Sequence, residues 1–335
     1  MNWYLESGKD QDVVVSTRVR YARNLQEFKF NVKDVQEAQK TENKIKEETP
    51  EIGYSLKFLK LKDMDDITKM SLVEKNLISP EFALNKKQIG AVLINEEENI
   101  CIMVNEEDHL RLQVFNCGLD LEGTFNLAKE LDQKIEKVFN IAKSKKYGYL
   151  TSCPTNVGTG IRVSVMVHLP GLTKTGNIRK ILESINSFGM NIRGVYGENS
   201  EISGDMYQIS NKKTLGISEE EIVKNIKAIT EKIIEQERLA RKYLSKNNIE
   251  IEDKVYRSYG ILSNCKKIKS EETRKLLSDV KLGTDLGIIK ELTDSKVKQL
   301  YLYTKPANLQ KYVGETLDAY ERDIKRAEII KEIIN

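Results

Sequence analysis

A pattern of two apolar runs around an acidic turn restricts the fold of this chain more than any other feature. Residues 90–94 (GAVLI) and 100–104 (ICIMV) flank the polar residues 95–99. Short β-prone runs joined by a tight polar turn are typical of a β-hairpin, and hairpins build antiparallel sheets. Further short strands are predicted at residues 162–169, 190–195 and 206–210. The sequence therefore predicts an α+β fold with an antiparallel sheet.

Helical periodicity accompanies these strands and dominates the C-terminal part. Apolar residues recur every three or four positions in residues 121–146 and 178–188, which predicts helices there. Ser218, with Glu221 three positions later, is typical of a capping box that opens a helix reaching Lys246. Further helices are predicted at residues 271–280, 295–303 and 314–334. We predict an α+β domain at residues 1–250 and a helical domain at residues 251–335.

Composition excludes several classes of function. Lysine and arginine (54) nearly balance aspartate and glutamate (51) in the 335 residues, and no basic tract dominates, so we expect no direct nucleic-acid partner. No apolar run approaches the roughly 20 residues that span a bilayer, and the N-terminus does not resemble a secretory signal. We therefore expect a cytoplasmic protein without a membrane partner. Four scattered cysteines and two histidines predict no protein-bound metal.

A predicted strand near the N-terminus carries two arginines. The apolar residues 13–15 precede Ser16-Thr17-Arg18-Val19-Arg20, and arginines two positions apart project from the same side of a strand. Two guanidinium groups on one face suit a polyphosphate, because each donates two parallel hydrogen bonds. Taken alone, the pair is more typical of a solvated edge strand. Arg111, Arg162 and Arg193 each lie beside another motif, and this distribution favours a nucleotide site.

An acidic segment, Asn105-Glu106-Glu107-Asp108-His109, follows a predicted strand and precedes Arg111. Consecutive acids usually form a solvated turn. A carboxylate also holds a guanidinium group in a bidentate grip, so Glu107 and Glu198 are candidates for orienting a guanidino acceptor. Because the pKa of such an acceptor lies above about 12, we expect orientation first and proton acceptance late.

A glycine-rich segment, residues 153–160 (CPTNVGTG), leads into Arg162. Such a turn usually closes a hairpin, but it also brings backbone N–H groups towards a phosphate. No Gly-Lys-Ser/Thr follows, so the segment is not a Walker A loop. Cys153 is either an inert filler or, beside a cation, a thiolate close to the acceptor.

The chain has two histidines, His109 and His168. His109 lies within the acidic segment, where it either binds nucleotide or orients a carboxylate. His168 lies in an alternating strand before Pro170 and is predicted to be structural.

Four motifs occur in order across residues 16–201: Ser-x-Arg-x-Arg, Asn-Glu-Glu-Asp-His, Cys-Pro-Thr-Asn-x-Gly-Thr-Gly-x-Arg and Arg-Gly-x-x-Gly-Glu. In this combination the chain resembles the phosphagen (guanidino) kinase superfamily, and within it the bacterial protein arginine kinases. The resemblance implies a large antiparallel sheet flanked by helices, of the glutamine synthetase-like kind, followed by a helical C-terminal domain. It also implies ATP and Mg²⁺ as cofactors.

The resemblance further implies roles for individual residues. Glu107 and Glu198 contact the guanidinium group, and Cys153 is the active-site thiolate. Nucleotide contacts are implied for Ser16, Thr17, Arg18, Val19, Arg20, Asn76, Arg111, Arg162, Val163, Ser164, Val165, Met166, Arg193, Gly194, Val195, Tyr196, Gly197 and Glu198. Asn76 stands where relatives often have a histidine, so either it supplies a weaker polar contact or adenine is bound differently.

Two departures favour a protein acceptor over a small one. Only fifteen residues precede Ser16, where kinases of small guanidino compounds carry a helical domain that encloses the substrate. The C-terminal part resembles the dimerising, phosphoarginine-reading domain of the protein arginine kinases, whose Arg-Asp-x-x-Arg-Ala motif stands here at residues 322–327. Arg322 and Arg326, one helical turn apart, are expected to grip a phosphoryl group while Asp323 takes the attached guanidinium.

We therefore predict an ATP-dependent kinase of protein arginines that marks stress-damaged proteins or a stress repressor for Clp-type proteolysis. A kinase of free arginine or a similar metabolite shares every motif and stays an alternative. A non-catalytic phosphoarginine-binding adaptor is a second alternative, against which the intact catalytic motifs argue. The implied partners are protein substrates with accessible arginines, a stress-response repressor, a zinc-binding activator protein, a Clp ATPase and a second copy of the chain.

Overall fold

The computed structural model describes residues 2–86, 89–187, 189–194 and 204–335, which contain ten strands and twelve α-helices. The strands are β1 (Val14–Arg23), β2 (Lys57–Lys60), β3 (Ala91–Ile94), β4 (Ile100–Val104), β5 (Leu110–Cys117), β6 (Lys143–Ser144), β7 (Gly148–Tyr149), β8 (Ile161–His168), β9 (Met190–Gly194) and β10 (Met206–Asn211). The helices are α1 (Val35–Glu48), α2 (Asp66–Glu74), α3 (Pro80–Leu84), α4 (Leu121–Val138), α5 (Pro170–Lys174), α6 (Ile178–Ser187), α7 (Glu219–Leu244), α8 (Asn248–Asn264), α9 (Ser270–Asp285), α10 (Asp294–Tyr303), α11 (Pro306–Val313) and α12 (Ala319–Ile334).

Eight of the strands form one antiparallel sheet in the order β2, β3, β4, β5, β1, β8, β10, β9. The hairpin predicted from residues 90–104 is confirmed as β3 and β4. The remaining strands, β6 and β7, pair separately. β1 lies near the middle, between β5 and β8, so its alternating side chains decide the character of both faces of the sheet.

One face of the sheet is apolar because β1, β5 and β8 place branched residues there. Val19 lies opposite Val114 on β5 and Val163 on β8, and all three are fully buried. The amphipathic helices α4 and α7 cover this face, and their buried residues, Leu131 and Ile226 among them, belong to the same core. The opposite face is left for the arginines of β1.

A second set of elements covers that opposite face only at one end of the sheet. Trp3 and the residues around α2 and α3 pack there against Val92, Met103 and Phe115. Trp3 stacks on Phe115, with ring centroids 5.1 Å apart. The arginine-bearing part of the face thus lies beside an apolar wall.

Helices α8 to α12 enclose a separate apolar core that includes Leu277, Leu300 and Ile330. It contacts the rest of the chain at α9, through pairs such as Arg241–Asp285, and at α2, where the Glu74 carboxylate accepts the N–H groups of Ala307 and Asn308, each at 2.8 Å. Two such acceptors at the first turn of α11 satisfy amide groups that a helix leaves free. The predicted boundary at residue 250 falls in the first turn of α8. The division into two domains stays a prediction.

Two predicted helices differ from the observed ones. The helix expected at residues 121–146 ends at Val138, because Phe139 is extended and the chain then pairs with the continuation of β1 through Leu25 and Ile141. The helix expected at residues 314–334 starts at Ala319. Gly314 ends α11 instead, in a left-handed conformation with φ of 76° that suits glycine.

Across the described ranges, none of the helices combines the length and the apolar character needed to cross a membrane.

Candidate functional site

The strand register brings the predicted arginines together on one face of the sheet. Arg20 on β1 lies opposite Arg162 on β8, and Arg18 stands two residues earlier on the same side of β1. Arg111 on β5 lies opposite Ala22, two residues beyond Arg20. Because side chains alternate along a strand, these guanidinium groups all point away from the valine core.

Arg193 extends the group towards the edge of the sheet. On β9 it lies opposite Gln208 of β10, which in turn lies opposite Met166, on the same side of β8 as Arg162. Arg193 is exposed, and its positive charge contributes to the lowered pKa of Arg162, after the effect of burial. The five predicted arginines therefore share one face.

Burial and mutual repulsion disfavour the charge of the two β1 arginines. Burial, with repulsion from Arg111 and Arg162, lowers the pKa of Arg18 to about 9. Burial also lowers the pKa of Arg20 well below its usual range, and the charges of Arg111, Arg18 and Arg162 add to that effect. Folding has thus concentrated positive charge where it is electrostatically unfavourable, which is typical of a site whose ligand is an anion.

Arg18 and Arg162 have neutral hydrogen-bond partners within the described ranges. Arg18 Nε donates to Ser164 Oγ at 3.2 Å, and Arg162 Nη2 donates to Ser210 Oγ at 3.2 Å. Neither of them, nor Arg20, forms a salt bridge with a described carboxylate, and the buried Nε of Arg20 has no hydrogen-bond partner there. Most of the guanidinium hydrogen-bonding capacity is therefore left for a ligand rich in acceptors.

Glu106 and Glu107 of the acidic segment have different contacts. Glu106 accepts hydrogen bonds from Arg111 and, at 2.7 Å, from Ser79 Oγ. Burial opposes its ionisation, but Arg111 and Ser79 hold the pKa of Glu106 below its usual range. Glu106 thus fixes the side chain of Arg111, a role that the sequence analysis missed. The sequence did carry a signal for this pairing, because Glu106 and Arg111 lie only five residues apart within one motif.

Glu107 is exposed, whereas Glu106 is half-buried. Its pKa is raised, first by partial burial and then by repulsion from Asp108 and Glu106, while a hydrogen bond from the Cys153 thiol acts in the opposite direction. Glu107 and Cys153 are therefore neighbours. An accessible carboxylate beside arginines and a thiol matches the predicted acceptor site for a guanidinium group.

Asp108 holds the two loops of this site together. It is buried, and its Oδ1 accepts from Asn24 Nδ2 at 2.7 Å and from the backbone N–H of Ser152 at 2.6 Å. The carboxylate thus joins the segment that carries Glu107 to the segment that carries Cys153. This positioning role was also missed, because sequence reasoning treated the three acids alike.

Glycines fix the conformation of the Cys153 segment, and some of its backbone N–H groups are hydrogen-bonded within the protein. Gly158 has φ of 114°, and a Cβ atom there would collide with the backbone at Thr214. The N–H of Gly158 donates to Tyr149 O at 3.3 Å, and that of Thr159 donates to Thr214 O at 2.9 Å. These two N–H groups are engaged within the protein, so the expectation that this turn offers them to phosphate is wrong. Cys153 itself is half-buried, with Sγ 3.0 Å from Thr155 Oγ1.

Both histidines are structural. His109 is buried, accepts the N–H of Leu25 at Nδ1 (3.1 Å) and lies 3.0 Å from Lys29 O through Nε2, and burial lowers its pKa. The expected role of His109 towards nucleotide is therefore wrong. His168 is buried against Ser278 Oγ at 2.9 Å, in agreement with its predicted structural role.

Some predicted nucleotide contacts fall on the wrong face of the sheet. The side chains of Val19, Val163 and Val165 lie in the valine core, and Thr17 Oγ1 donates to Gly118 O at 2.7 Å on the same buried side. Their backbone groups lie within the strand ladder. These four residues hold the arginine-bearing strands in place and offer no side chain to a nucleotide, because strand side chains alternate.

Ser16, Asn76, Ser164 and Met166 lie on or beside the arginine face, whereas Gly194 follows Arg193 on β9 at a position of the opposite face. Asn76 follows α2 in a left-handed conformation, with φ of 63°, which asparagine adopts more readily than most residues. Val195, Tyr196, Gly197 and Glu198 lie outside the described residues.

The two arginines of the C-terminal motif have different surroundings. Arg326 is buried; its Nε donates to Thr304 O at 2.7 Å, and its Nη1 donates to Ile268 O at 2.8 Å and to Asp323 at 2.6 Å. These internal hydrogen bonds engage Nε and Nη1 of Arg326, and the two-arginine grip stays a prediction. Arg322 is half-buried, with Nη1 3.1 Å from Leu317 O. Arg322 and Asp323 stay candidates for a phosphoarginine site.

No group of three or more His, Cys, Asp and Glu side chains within the described ranges is arranged to hold a metal ion.

Comparison with known protein families agrees with this geometry. Residues 37–240 match the model of the ATP:guanido phosphotransferase C-terminal catalytic domain, and residues 248–335 match that of the protein-arginine kinase McsB C-terminal domain. A protein-arginine kinase of Halothermothrix orenii is 48% identical over 337 residues, covering 100% of this chain and 96% of the relative. That of Bacillus subtilis is 44% identical over 338 residues, covering 99% of this chain and 92% of the relative.

Solved structures share the fold. A duplicated taurocyamine kinase from Schistosoma mansoni, with bound transition-state analogue components, has a TM-score of 0.56 and 26% identity; the match covers 68% of this chain and 33% of the duplicated one. A lombricine kinase has a TM-score of 0.57 and 23% identity over 71% of each chain. The predicted α+β fold with its large antiparallel sheet is confirmed. The resemblance read from the four motifs is confirmed as well, and the chain belongs to the protein-arginine kinase family of ATP:guanido phosphotransferases.

Proposed function

We propose that this enzyme transfers the γ-phosphoryl group of ATP to arginine side chains of proteins. The observation that carries the proposal is the cluster of Arg18, Arg20 and Arg162, which lacks salt bridges to described carboxylates and lies next to Glu107 and Cys153. A polyphosphate satisfies the arginines, and a guanidinium group satisfies the carboxylate and the thiol. The two requirements belong to the two substrates of one phosphoryl transfer.

The arginines bind the phosphates of ATP and stabilise the charge on the moving phosphoryl group. Their guanidinium groups are fixed by strand register and by Ser164, Ser210 and Glu106, so little reorganisation accompanies the reaction. Mg²⁺ commonly binds the phosphate oxygens of a nucleotide with few protein ligands, which agrees with the lack of a metal-binding group in the described ranges. When bound, it neutralises phosphate charge.

Glu107 and Cys153 orient the acceptor. The carboxylate of Glu107 holds the planar N–H groups of the substrate arginine and aims one nitrogen at the γ-phosphorus. As the N–P bond forms, the bond from phosphorus to the ADP oxygen breaks, and the attacking nitrogen becomes acidic. The raised pKa of Glu107 makes it the stronger base for the proton released at that stage.

A protein acceptor is favoured over a free metabolite because the relatives that match nearly the whole chain carry the name protein-arginine kinase. The match of residues 248–335 to the C-terminal domain of that family supports the same choice. Free arginine remains the alternative acceptor that the experiment must separate.

The test is incubation of the enzyme with MgATP and either an unfolded arginine-rich protein or free arginine, followed by mass spectrometry at neutral pH. We expect acid-labile phosphate on protein arginines only. Phosphate on free arginine alone contradicts the proposed acceptor, and no transfer to either contradicts the activity itself.

A matched pair of variants assigns the role of Glu107. Glu107→Gln keeps the shape of the side chain but removes its charge, so turnover should fall at least a hundredfold with folding intact. Glu96→Gln makes the same change on the exposed turn between β3 and β4 and should be fully active. Full activity of Glu107→Gln contradicts the assigned role.

We also propose, from the family resemblance, a role in stress-related protein turnover, a cytoplasmic location and a homodimer. The stress-response repressor, zinc-binding activator and Clp ATPase stay predicted partners. Pull-down with the wild-type chain in the presence of a non-hydrolysable ATP analogue, which blocks phosphoryl transfer, tests these partners together.

A further inference from the structure

A cavity of about 640 Å³ lies between the sheet and the C-terminal helices. Ser16 and Met166 line it from the sheet, and Val297 and Tyr301 of α10 line it from the opposite side. Its volume is within the range of roughly 300–1,000 Å³ that is usual for small-molecule sites. Most of the exposed surface of the cavity is apolar, and charged side chains, Glu74, Lys281 and Lys298 among them, also border it.

Strand register connects this cavity to the arginines. Ser16 on β1 lies opposite Met166 on β8, while Arg20 lies opposite Arg162 on the same two strands. Arg18 lies between these levels. Two residues along a strand span about 7 Å, so the cavity begins one such step beyond Arg18 on the same face of the sheet. Glu107 and Cys153 lie towards Arg111 and Arg162, at the other end of the arginine row. A nucleotide whose terminal phosphate faces this acceptor end has its nucleoside directed towards the cavity.

The lining suits a flat heteroaromatic base. Met166 and Val297 offer apolar surface, Tyr301 offers an aromatic ring, and Ser16 and Asn76 offer polar groups near the sheet. An aromatic side chain stacks on any nucleobase, and the few polar groups fix its orientation.

From this juxtaposition we infer that the C-terminal helices form one wall of the pocket for the adenine base, so that they are part of the ATP site. The inference rests on the proposed function, because it takes the arginines as the phosphate site. It assigns α10 a role in nucleotide affinity that the arginine motifs do not contain.

The wall is fixed in place from two directions. Thr304, which lines the cavity just after α10, has its carbonyl held by Arg326 Nε of α12 at 2.7 Å. Glu74, two residues before Asn76, holds the first turn of α11 through two N–H groups at 2.8 Å. A base that bridges the sheet and α10 therefore stabilises their packing, and by thermodynamic reciprocity their packing strengthens base binding.

Calorimetric titration with ATP and with tripolyphosphate, which has no base, tests the wall. The variant Tyr301→Ala removes its aromatic ring. Tyr303→Ala is the control, because it makes the same change on the same helix at a ring that lies outside the cavity, tilted against Tyr312 with centroids 4.7 Å apart. We expect Tyr301→Ala to bind ATP at least tenfold more weakly and tripolyphosphate with unchanged affinity. Tyr303→Ala should bind both as the wild type does.

Arg20→Met separates failure of this inference from failure of the proposed function. It should weaken the binding of both ligands. If it binds both as tightly as the wild type, the phosphate site itself is wrong. If it weakens both while Tyr301→Ala binds ATP like the wild type, the wall alone is wrong.

A variant that fills the cavity replaces Tyr301→Ala in the binding test if Tyr301→Ala does not fold. Val297→Phe reduces the space inside the cavity and should weaken ATP binding by a similar factor, again with tripolyphosphate unaffected. Hydrogen exchange gives an independent readout. ATP should slow exchange in α10 and at the start of α11, and tripolyphosphate should not. Equal protection by the two ligands contradicts a base pocket against these helices.

Discussion

Two arginines of β1 illustrate opposite ways of placing a cation inside a protein. Arg23 is fully buried and grips Asp132 through two hydrogen bonds, Nε to Oδ1 at 2.9 Å and Nη2 to Oδ2 at 2.8 Å. Arg20, three residues earlier and on the other face, has no salt bridge to a described carboxylate and a buried Nε without a partner. The described part of the chain therefore supplies a carboxylate to Arg23 and none to Arg20.

The electrostatic consequences differ in the same way. Burial opposes the charge of both residues, but attraction to Asp132 raises the pKa of Arg23, whereas repulsion from three other arginines lowers that of Arg20 still further. A buried charge without a partner is costly. We propose that the counter-charge for Arg20 arrives with the phosphates of the substrate.

The largest expected effect is on catalysis at Arg20. Arg20→Met removes one phosphate contact, so kcat/KM should fall about 10³-fold or more, as for other arginines that stabilise phosphoryl transfer. The free energy of unfolding should stay the same or rise, because a repelled charge is lost. Steady-state kinetics and urea unfolding measure the two quantities. Activity within tenfold of the wild type contradicts the assignment.

Removal of the partner of Arg23 should have the opposite profile. Asp132→Ala leaves a buried guanidinium without its carboxylate, and the free energy of unfolding should fall by about 3–5 kcal/mol. The folded fraction should still bind ATP. Asp253→Ala is the control, since it breaks an exposed pair with Arg257 and should cost less than about 1 kcal/mol. Equal losses in the two variants contradict the contrast.

The two arginines of the C-terminal motif, Arg326 and Arg322, also differ in their partners, and smaller effects are expected. Arg326→Met removes the hydrogen bonds to two backbone carbonyls and to Asp323. The free energy of unfolding should therefore fall by about 2–3 kcal/mol. Arg322→Met removes a single hydrogen bond, to Leu317 O, so the loss should be smaller, about 1 kcal/mol. If Arg322 reads phosphoarginine, this second variant should lose affinity for a phosphoarginine peptide. Fluorescence titration with that peptide, alongside thermal unfolding, measures both.

The smallest expected effect is the pH dependence set by Glu107. Partial burial and the neighbouring acids raise its pKa, so the ionised form is lost at a higher pH than for an unperturbed glutamate. Since the ionised form holds the acceptor, kcat/KM should decline on acidification through that raised pKa. Glu107→Gln should lack this decline in its residual activity. A pH–rate profile that is unchanged in the variant indicates another titrating group.

The arginine face was predictable because it depends on spacing. The arginines of residues 16–20 alternate with the period of a strand, and antiparallel pairing of β1 with β8 then aligns Arg20 with Arg162. The same alternation rule, applied fully, would have excluded Val19 and Val163 from the nucleotide contacts. Motif membership alone does not tell which residues of a strand face the ligand.

Other features depend on tertiary packing that no local pattern encodes. Glu106 and Glu107 are adjacent and chemically identical, yet only Glu106 reaches Arg111. Arg322 and Arg326 are one turn apart on a helix, and the sequence does not tell that the second is covered by Thr304 and Ile268. The end of α4 was missed because apolar residues continue past Val138 but pack against β1 in an extended conformation.

The most direct test of the central claim is a crystal structure of the enzyme with a non-hydrolysable ATP analogue. We expect phosphate oxygens at hydrogen-bonding distance, about 2.7–3.2 Å, from the guanidinium nitrogens of Arg18, Arg20 and Arg162. A triphosphate bound elsewhere, with these three arginines still unliganded, would contradict it.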